Sequence, residues 1–215
     1  MPLYKSVSID HDTQLLIWKI TESEQELYNQ VKLKDMCTYR IGKMKSEQHR
    51  RAFLSVRMLM QHIGYTDFDM YYGEDGKPHL YDGKNISITH SYQFAAIIVS
   101  SRNVGIDMEI RREKVIRIAD KFIDNEFAFL EPAHLTEYVR RLIVIWGVKE
   151  ALFKMFSREG LSFKQHIEVH AFDTEAGEGT AAVNFNDING IYNFCFQEIE
   201  DFTLVYTIDP NTPLQ

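Results

Sequence analysis

Two acidic side chains two residues apart, Asp107 and Glu109 in GIDME, are the first in this chain whose spacing could do chemistry. In a strand, positions i and i+2 point the same way, with Cα atoms about 6.6–6.8 Å apart, so both carboxylates can reach one hard cation. Magnesium suits such a pair, because it takes oxygen ligands, few protein carboxylates and substrate phosphates. A second pair, Glu150 and Lys154, stands at i and i+4 in WGVKEALFKM (146–155) and therefore shares a helix face. In a polar helix this would be an ordinary surface ion pair. Here the surrounding run, residues 142–156, is apolar except for Lys149, Glu150 and Lys154, and charged side chains are seldom buried without partners. A group of phosphates and a cation would be such partners.

Further polar residues could bind a phosphorylated ligand. His90 in ISITHSY can donate to a phosphate, with Ser91 adding a hydroxyl and an amide. GKP (76–78) is turn chemistry that would present Lys77 to a nucleotide. Basic residues cluster from Arg40 to Arg57, and Arg50 and Arg57, seven apart, share one side of a predicted helix that could hold a further phosphate. Other site types are missing: there is no G-x-G-x-x-G, Walker loop, H-E-x-x-H or G-x-S-x-G. The two cysteines, Cys37 and Cys195, have neither metal-ligand nor disulfide-framework spacing and fit a reducing compartment.

The elements that must position these groups are legible as patterns. QLLIWKI (14–20) reads as a strand, and Thr21 with Glu24 as a capping box for a helix running into YNQVKL. Residues 46–63 predict a helix with Phe53, Val56, Leu59, Met60 and Ile63 as its apolar stripe and Gly64 as its stop. ISIT (86–89) and FAAIIVS (94–100) predict a hairpin with HSYQ at the bend. VGIDMEI (104–110) alternates, with Val104, Ile106, Met108 and Ile110 on one face and Gly105, Asp107 and Glu109 on the other. Helices are expected over 116–130 and about 134–157, then short antiparallel strands and a frayed tail, DPNTPLQ. RRAFLSVRMLM and RRLIVIWGVKE form a faint echo between the halves, each opening a long helix. The class is α+β.

Bulk properties narrow the function. The 215 residues suffice for one large domain or two small ones, and 45% hydrophobic with 26% charged residues suits a chain with a real core. A net charge of −7 argues against a general nucleic-acid binder. No uncharged apolar run of membrane-spanning length and no secretory signal is visible, so a soluble cytoplasmic protein is expected.

In order and spacing, GKP (76–78), ITHS (88–91), GIDME (105–109) and WGVKEALFK (146–154) resemble the successive motifs of the 4′-phosphopantetheinyl transferases of the surfactin-synthetase-activating (Sfp) type. The resemblance spans residues 40–165. It implies two pseudo-symmetric α+β halves, each a small antiparallel sheet with a long helix, and a coenzyme A site in the cleft between them. The N-terminal half would be 1–102, with GKP and THS, and the C-terminal half 103–215, with the metal-binding strand and the WGVKEALFK helix. The implied activity is Mg²⁺-dependent transfer of 4′-phosphopantetheine from coenzyme A to a serine of an apo acyl or peptidyl carrier protein, by a monomer that engages neither nucleic acid nor membrane. Asp107, Glu109 and Glu150 match the family's metal ligands, Glu150 is the candidate base, and Lys154, helped by Lys149, would steady the transferring phosphate. His90 matches a phosphate contact, Lys77, Pro78 and Ser91 would line the nucleotide pocket, and Arg51, or else Arg50, would meet the 3′-phosphate. A metal-dependent phosphohydrolase or nucleotidyltransferase with the same acidic triad is the alternative. Thr89 and Gly147 depart from the family's usual residues; Gly147 implies a bend in its helix or packing that needs a bare backbone.

Overall fold

The structure, a computed structural model, describes residues 3–210. The chain forms two compact units that meet in sequence at Ser101 and Arg102. The last five residues of the predicted tail lie outside the described residues.

The first unit contains strands β1 (Leu3–Ser8) and β2 (Gln14–Lys19), helices α1 (Glu24–Tyr28), α2 (Asp35–Lys43) and α3 (Glu47–His62), and strands β3 (Met70–Tyr72), β4 (Pro78–Leu80), β5 (Asn85–Ser91) and β6 (Phe94–Ser100). The strands make one antiparallel sheet in the order β1-β2-β6-β5-β4-β3. Its core is the α3 stripe, with Phe53, Val56, Leu59 and Met60, packed on Leu16, Trp18, Ile97 and Val99. Sequence patterns missed β1 because no residue of it is fully buried, so it lacks apolar alternation and is defined by pairing with β2. The capping box of α1 is formed by Ser23 and Glu26 instead of Thr21 and Glu24: the Ser23 hydroxyl accepts from the Glu26 amide, and the Glu26 carboxylate accepts from the Ser23 amide. The helix stops at Tyr28, the first residue of YNQVKL, and does not run through that segment.

The second unit contains β7 (Val104–Ile110), two 3-10 segments (Glu113–Lys121 and Asn125–Phe129), the 22-residue helix α4 (Leu135–Phe156), α5 (Phe163–His166), β8 (Ile167–Val169), β9 (Glu178–Phe185), β10 (Ile188–Ile199) and β11 (Phe202–Ile208). Its antiparallel sheet has the order β7-β11-β10-β9-β8. The helix expected over 116–130 is instead two 3-10 pieces, with Phe122, Ile123 and Glu126 buried between and along them. Helix α4 is buried along most of its circumference, with Leu142, Ile145, Val148, Leu152 and Met155 in the core. It ends at Ser157 in the left-handed conformation (φ 49°).

Set side by side, the units have one topology. Each runs from a strand (β2 or β7) to a long helix (α3 or α4) and then to four strands, the last of which pairs with the first. Only β1 is extra. The RR echo in the sequence falls on the two equivalent helices.

The alternation in β7 has a different outcome from the usual one. Its Gly105 and Asp107 face lies under α4 and is not open to solvent: a Cβ on Gly105 would come 1.9 Å from the Ala151 carbonyl oxygen. A bare backbone at Gly105 therefore lets the helix lie directly on the strand. That close approach brings the charged residues of α4 to those of β7.

Candidate active site

Four of the predicted site residues converge in the second unit. Lys154 Nζ donates to Asp107 Oδ1 at 2.6 Å and to the Ile106 carbonyl at 3.1 Å. Asp107 is 3% exposed, while Lys154 keeps 30% of its side chain in solvent. Glu109, one pleat further along β7, accepts a hydrogen bond from Trp146 Nε1 at 3.2 Å. Glu150 is half-buried on α4, one turn before Lys154.

The electrostatics follow from this crowding. Burial, then the charges of Asp107 and Glu150, push the Glu109 carboxyl up to about 7, against the Trp146 hydrogen bond. Burial and the charge of Asp107 also raise Glu150, with Lys154 opposing. Three carboxylates thus share one partly buried place with a single ammonium, an arrangement that a cation would relieve. Among the described residues no group of three or more His, Cys, Asp or Glu side chains is placed, as it stands, to hold a metal ion. The donor set nevertheless fits magnesium, being all oxygen and short of positive charge. Asp107, Glu109 and Glu150 are the residues that would hold the ion.

Gly147 has a packing role. A Cβ there would lie 2.7 Å from Val205 Cγ2 and 3.9 Å from Asp107 Oδ2, and α4 runs through it as one continuous helix. Close packing on β11, and not a bend, accounts for the glycine.

Lys149 was expected at a phosphate and is found elsewhere. Its side chain is fully buried, and Nζ lies 2.5 Å from Glu126 Oε1 while donating to the carbonyls of Phe122 (2.7 Å), Phe163 (3.0 Å) and Ile167 (2.6 Å). Burial pulls its ammonium below the usual range, and Glu126 opposes this. Burial pushes Glu126 up, but Lys149 and the amides of Asp124 and Val169 outweigh it and hold the carboxylate ionised. With four oxygens around it and no exposed surface, Lys149 has no position from which to contact a ligand phosphate. Glu126 was not anticipated, because nothing in DNEFAF marks a glutamate that turns inward.

In the first unit, His90 and Ser91 lie at the end of β5, and the bend is formed by Tyr92 (φ 48°) and Gln93. With His49, Gln48, Ala52 and Tyr92 they line a cavity of about 310 Å³. A second cavity of about 280 Å³, sharing Gln48 and Tyr92, is lined by Arg51, Ile20 and Gln93. Arg51 is tethered there by hydrogen bonds to the carbonyls of Glu22 (2.7 Å) and Ile20 (3.3 Å). Arg50 is committed to Glu24 at 2.8 Å and to the Met44 carbonyl, so Arg51 is the better placed of the two. Arg57 is not available to a phosphate: it is 2% exposed, pairs with Asp67 at 3.0 Å and stacks on Phe53. Lys77 ends the β3–β4 connection, closed by the Gly73 amide on the Lys77 carbonyl, Pro78 opens β4, and burial lowers the Lys77 ammonium. His49 is the residue sequence patterns passed over; its place beside Arg50 and Arg51 on α3 was the available signal.

Comparison with known proteins gives two results. Residues 103–207 match the family model of the 4′-phosphopantetheinyl transferase superfamily. Over 86 residues the chain is 30% identical to the 4′-phosphopantetheinyl transferase gsp of Aneurinibacillus migulanus, a match covering 40% of this chain and 36% of that protein's length.

Proposed function

We propose, from the premise that the second unit belongs to the 4′-phosphopantetheinyl transferase superfamily, that this chain moves 4′-phosphopantetheine from coenzyme A to a serine of an apo acyl or peptidyl carrier protein. The observation that carries the reading is the convergence of Asp107, Glu109, Glu150 and Lys154, on β7 and α4, inside the matched segment. The serine Oγ bonds to the β-phosphorus of coenzyme A as that phosphorus parts from the bridging oxygen. The serine proton passes to Glu150, and adenosine 3′,5′-bisphosphate leaves with the bridging oxygen.

Serine is a weak nucleophile at its free pKa and needs a base beside it. Burial and the charge of Asp107 raise Glu150, which makes its carboxylate a stronger proton acceptor than an exposed one. Lys154, partly exposed and anchored on Asp107, is placed to meet phosphate charge. Magnesium held by Asp107, Glu109 and Glu150 would neutralise the pyrophosphate and ease departure of the leaving group. Arg51, His90 and Ser91, with Lys77 and Pro78, are the proposed contacts to the nucleotide portion of coenzyme A.

The test is mass spectrometry of an apo carrier incubated with the protein, coenzyme A and Mg²⁺. A mass gain of one phosphopantetheine is expected, reduced roughly 10²-fold or more by Glu150→Gln and by Asp107→Ala. Full transfer by both variants would overturn the site. Consumption of coenzyme A at an equal rate without carrier would replace transfer by hydrolysis.

A further inference from the structure

The buried pair Lys149–Glu126 lies outside the proposed chemistry, yet its partners lead to it. Lys149 Nζ grips the carbonyls of Phe122 and Phe163. The rings of those same two residues meet the Trp146 indole edge to face, at centroid distances of 5.0 Å and 5.5 Å. The indole N–H in turn donates to Glu109 Oε1. Glu126 closes the arrangement by accepting the amides of Asp124 and Val169. One ammonium therefore ties α4 to three segments: the 122–126 connection, α5 and the start of β8.

We infer that Lys149 and Glu126 are positioning residues, which hold Trp146 between Phe122 and Phe163 and through its N–H aim the Glu109 carboxylate. The inference rests on the proposed role of Glu109 as a metal ligand. It assigns the lysine of WGVKE a task different from phosphate binding, and it adds Glu126 to the functional residues. The physical basis is the cost of moving any member. An ammonium with four oxygen partners in a dry site cannot shift without leaving one of them unsatisfied. Aromatic edge-to-face contacts then fix the indole plane relative to the two carbonyl-bearing residues. Carboxylates and histidines that bind metals are commonly oriented by such outer hydrogen bonds, and losing one weakens metal affinity by about 10–100-fold.

The test uses the full chain with Trp18→Phe, which leaves Trp146 as its single tryptophan. Lys149→Met, Glu126→Gln and the double variant are compared by Trp146 emission and quenching, and by Mg²⁺ affinity without coenzyme A. Each single change is expected to shift the emission and to weaken Mg²⁺ binding at least about tenfold. The double change should be no worse than the worse single one, because both act through one device. Should Lys149→Met fail to fold, Glu126→Gln and the double variant supply the same comparison. The inference is overturned if Lys149→Met leaves Trp146 emission and Mg²⁺ affinity unchanged while raising the KM for coenzyme A. That outcome makes Lys149 a phosphate ligand. Loss of stability alone, with both readouts unmoved in the folded protein, overturns it equally. If the unaltered chain transfers no phosphopantetheine, the proposed function fails, and the Trp146 readout still decides the positioning role.

Discussion

At the scale of the residue, glycines and one carboxylate have the sharpest consequences. Gly105 and Gly147 are the places where α4 approaches β7 and β11, and a methyl group at either meets neighbouring atoms at 1.9 Å or 2.7 Å. The obstacle at Gly105 is backbone, which cannot move aside, so Gly105→Ala should be more damaging than the roughly 1–3 kcal/mol of ordinary overpacking. At Gly147 the obstacle is the Val205 side chain. Gly147→Ser should therefore destabilise by about 1–3 kcal/mol in urea unfolding, and Val205→Ala should recover part of the loss. If Val205→Ala adds its own cost instead, steric conflict is not the reason for the glycine.

Glu109 carries a pH dependence whose sign can be worked out. Its carboxyl titrates at about 7 in the folded chain and near its ordinary 4.5 when unfolded. The folded state binds that proton more tightly, so the contribution is complete below 4.5 and is lost as pH rises through 7. In EDTA, stability should fall from pH 5 to pH 8 by more in the unaltered chain than in Glu109→Gln, whose amide oxygen can still accept from Trp146. An equal fall in both would show that Glu109 is not the group responsible.

At the scale of the element, the two long helices share a structural device. Each carries one buried cation on a buried carboxylate supplied by a connection: Arg57 with Asp67 for α3, Lys149 with Glu126 for α4. In α3 the Asp67 carboxylate also accepts from the Lys34 amide and the Cys37 thiol, which ties α2 to α3. Burial and Asp67 raise the Cys37 thiol, so it is not a reactive cysteine. Truncating one partner of such a pair leaves the other charge buried and typically costs 3–5 kcal/mol, more than the pair itself contributes. Arg57→Met should lower unfolding free energy by about that amount. Arg57→Met with Asp67→Asn should recover much of it, and failure to recover would point to lost packing on Phe53.

At the scale of the whole molecule, a topology used twice carries the acidic pair of the candidate site on the first strand of the second unit, with no counterpart on β2. When Phe94 of β6 is matched to Phe202 of β11, the sheet register puts Leu16 and Trp18 where the second unit has Asp107 and Glu109. Both are buried core residues. Calorimetry should therefore find one Mg²⁺ per chain, and Mg²⁺ at about 100 times its Kd should add roughly 2.7 kcal/mol of stability. Asp107→Asn should abolish that gain. Two ions per chain, or a gain that survives Asp107→Asn, would place the metal elsewhere. Among the described residues no helix is long and apolar enough to cross a membrane.

The amino-acid sequence by itself determined the periodic elements and the chemical roster. The α3 stripe, the β5–β6 hairpin, β7 and the buried α4 were all legible, because 3.6- and 2-residue periods are written locally. So was the grouping of Asp107, Glu109, Glu150 and Lys154, because the motifs kept their residue types and order. Tertiary structure decided everything that depends on which side of an element is covered. The polar face of β7 lies under a helix, Lys149 faces inward while its neighbour Glu150 stays partly exposed, and Gly147 serves close packing on Val205. The segment 116–130 forms two 3-10 pieces in place of one helix, and Phe122, Ile123 and Glu126 all turn inward from it. Neighbouring side chains on a helix point about 100° apart, so a sequence names charged residues without saying which of them the fold will enclose.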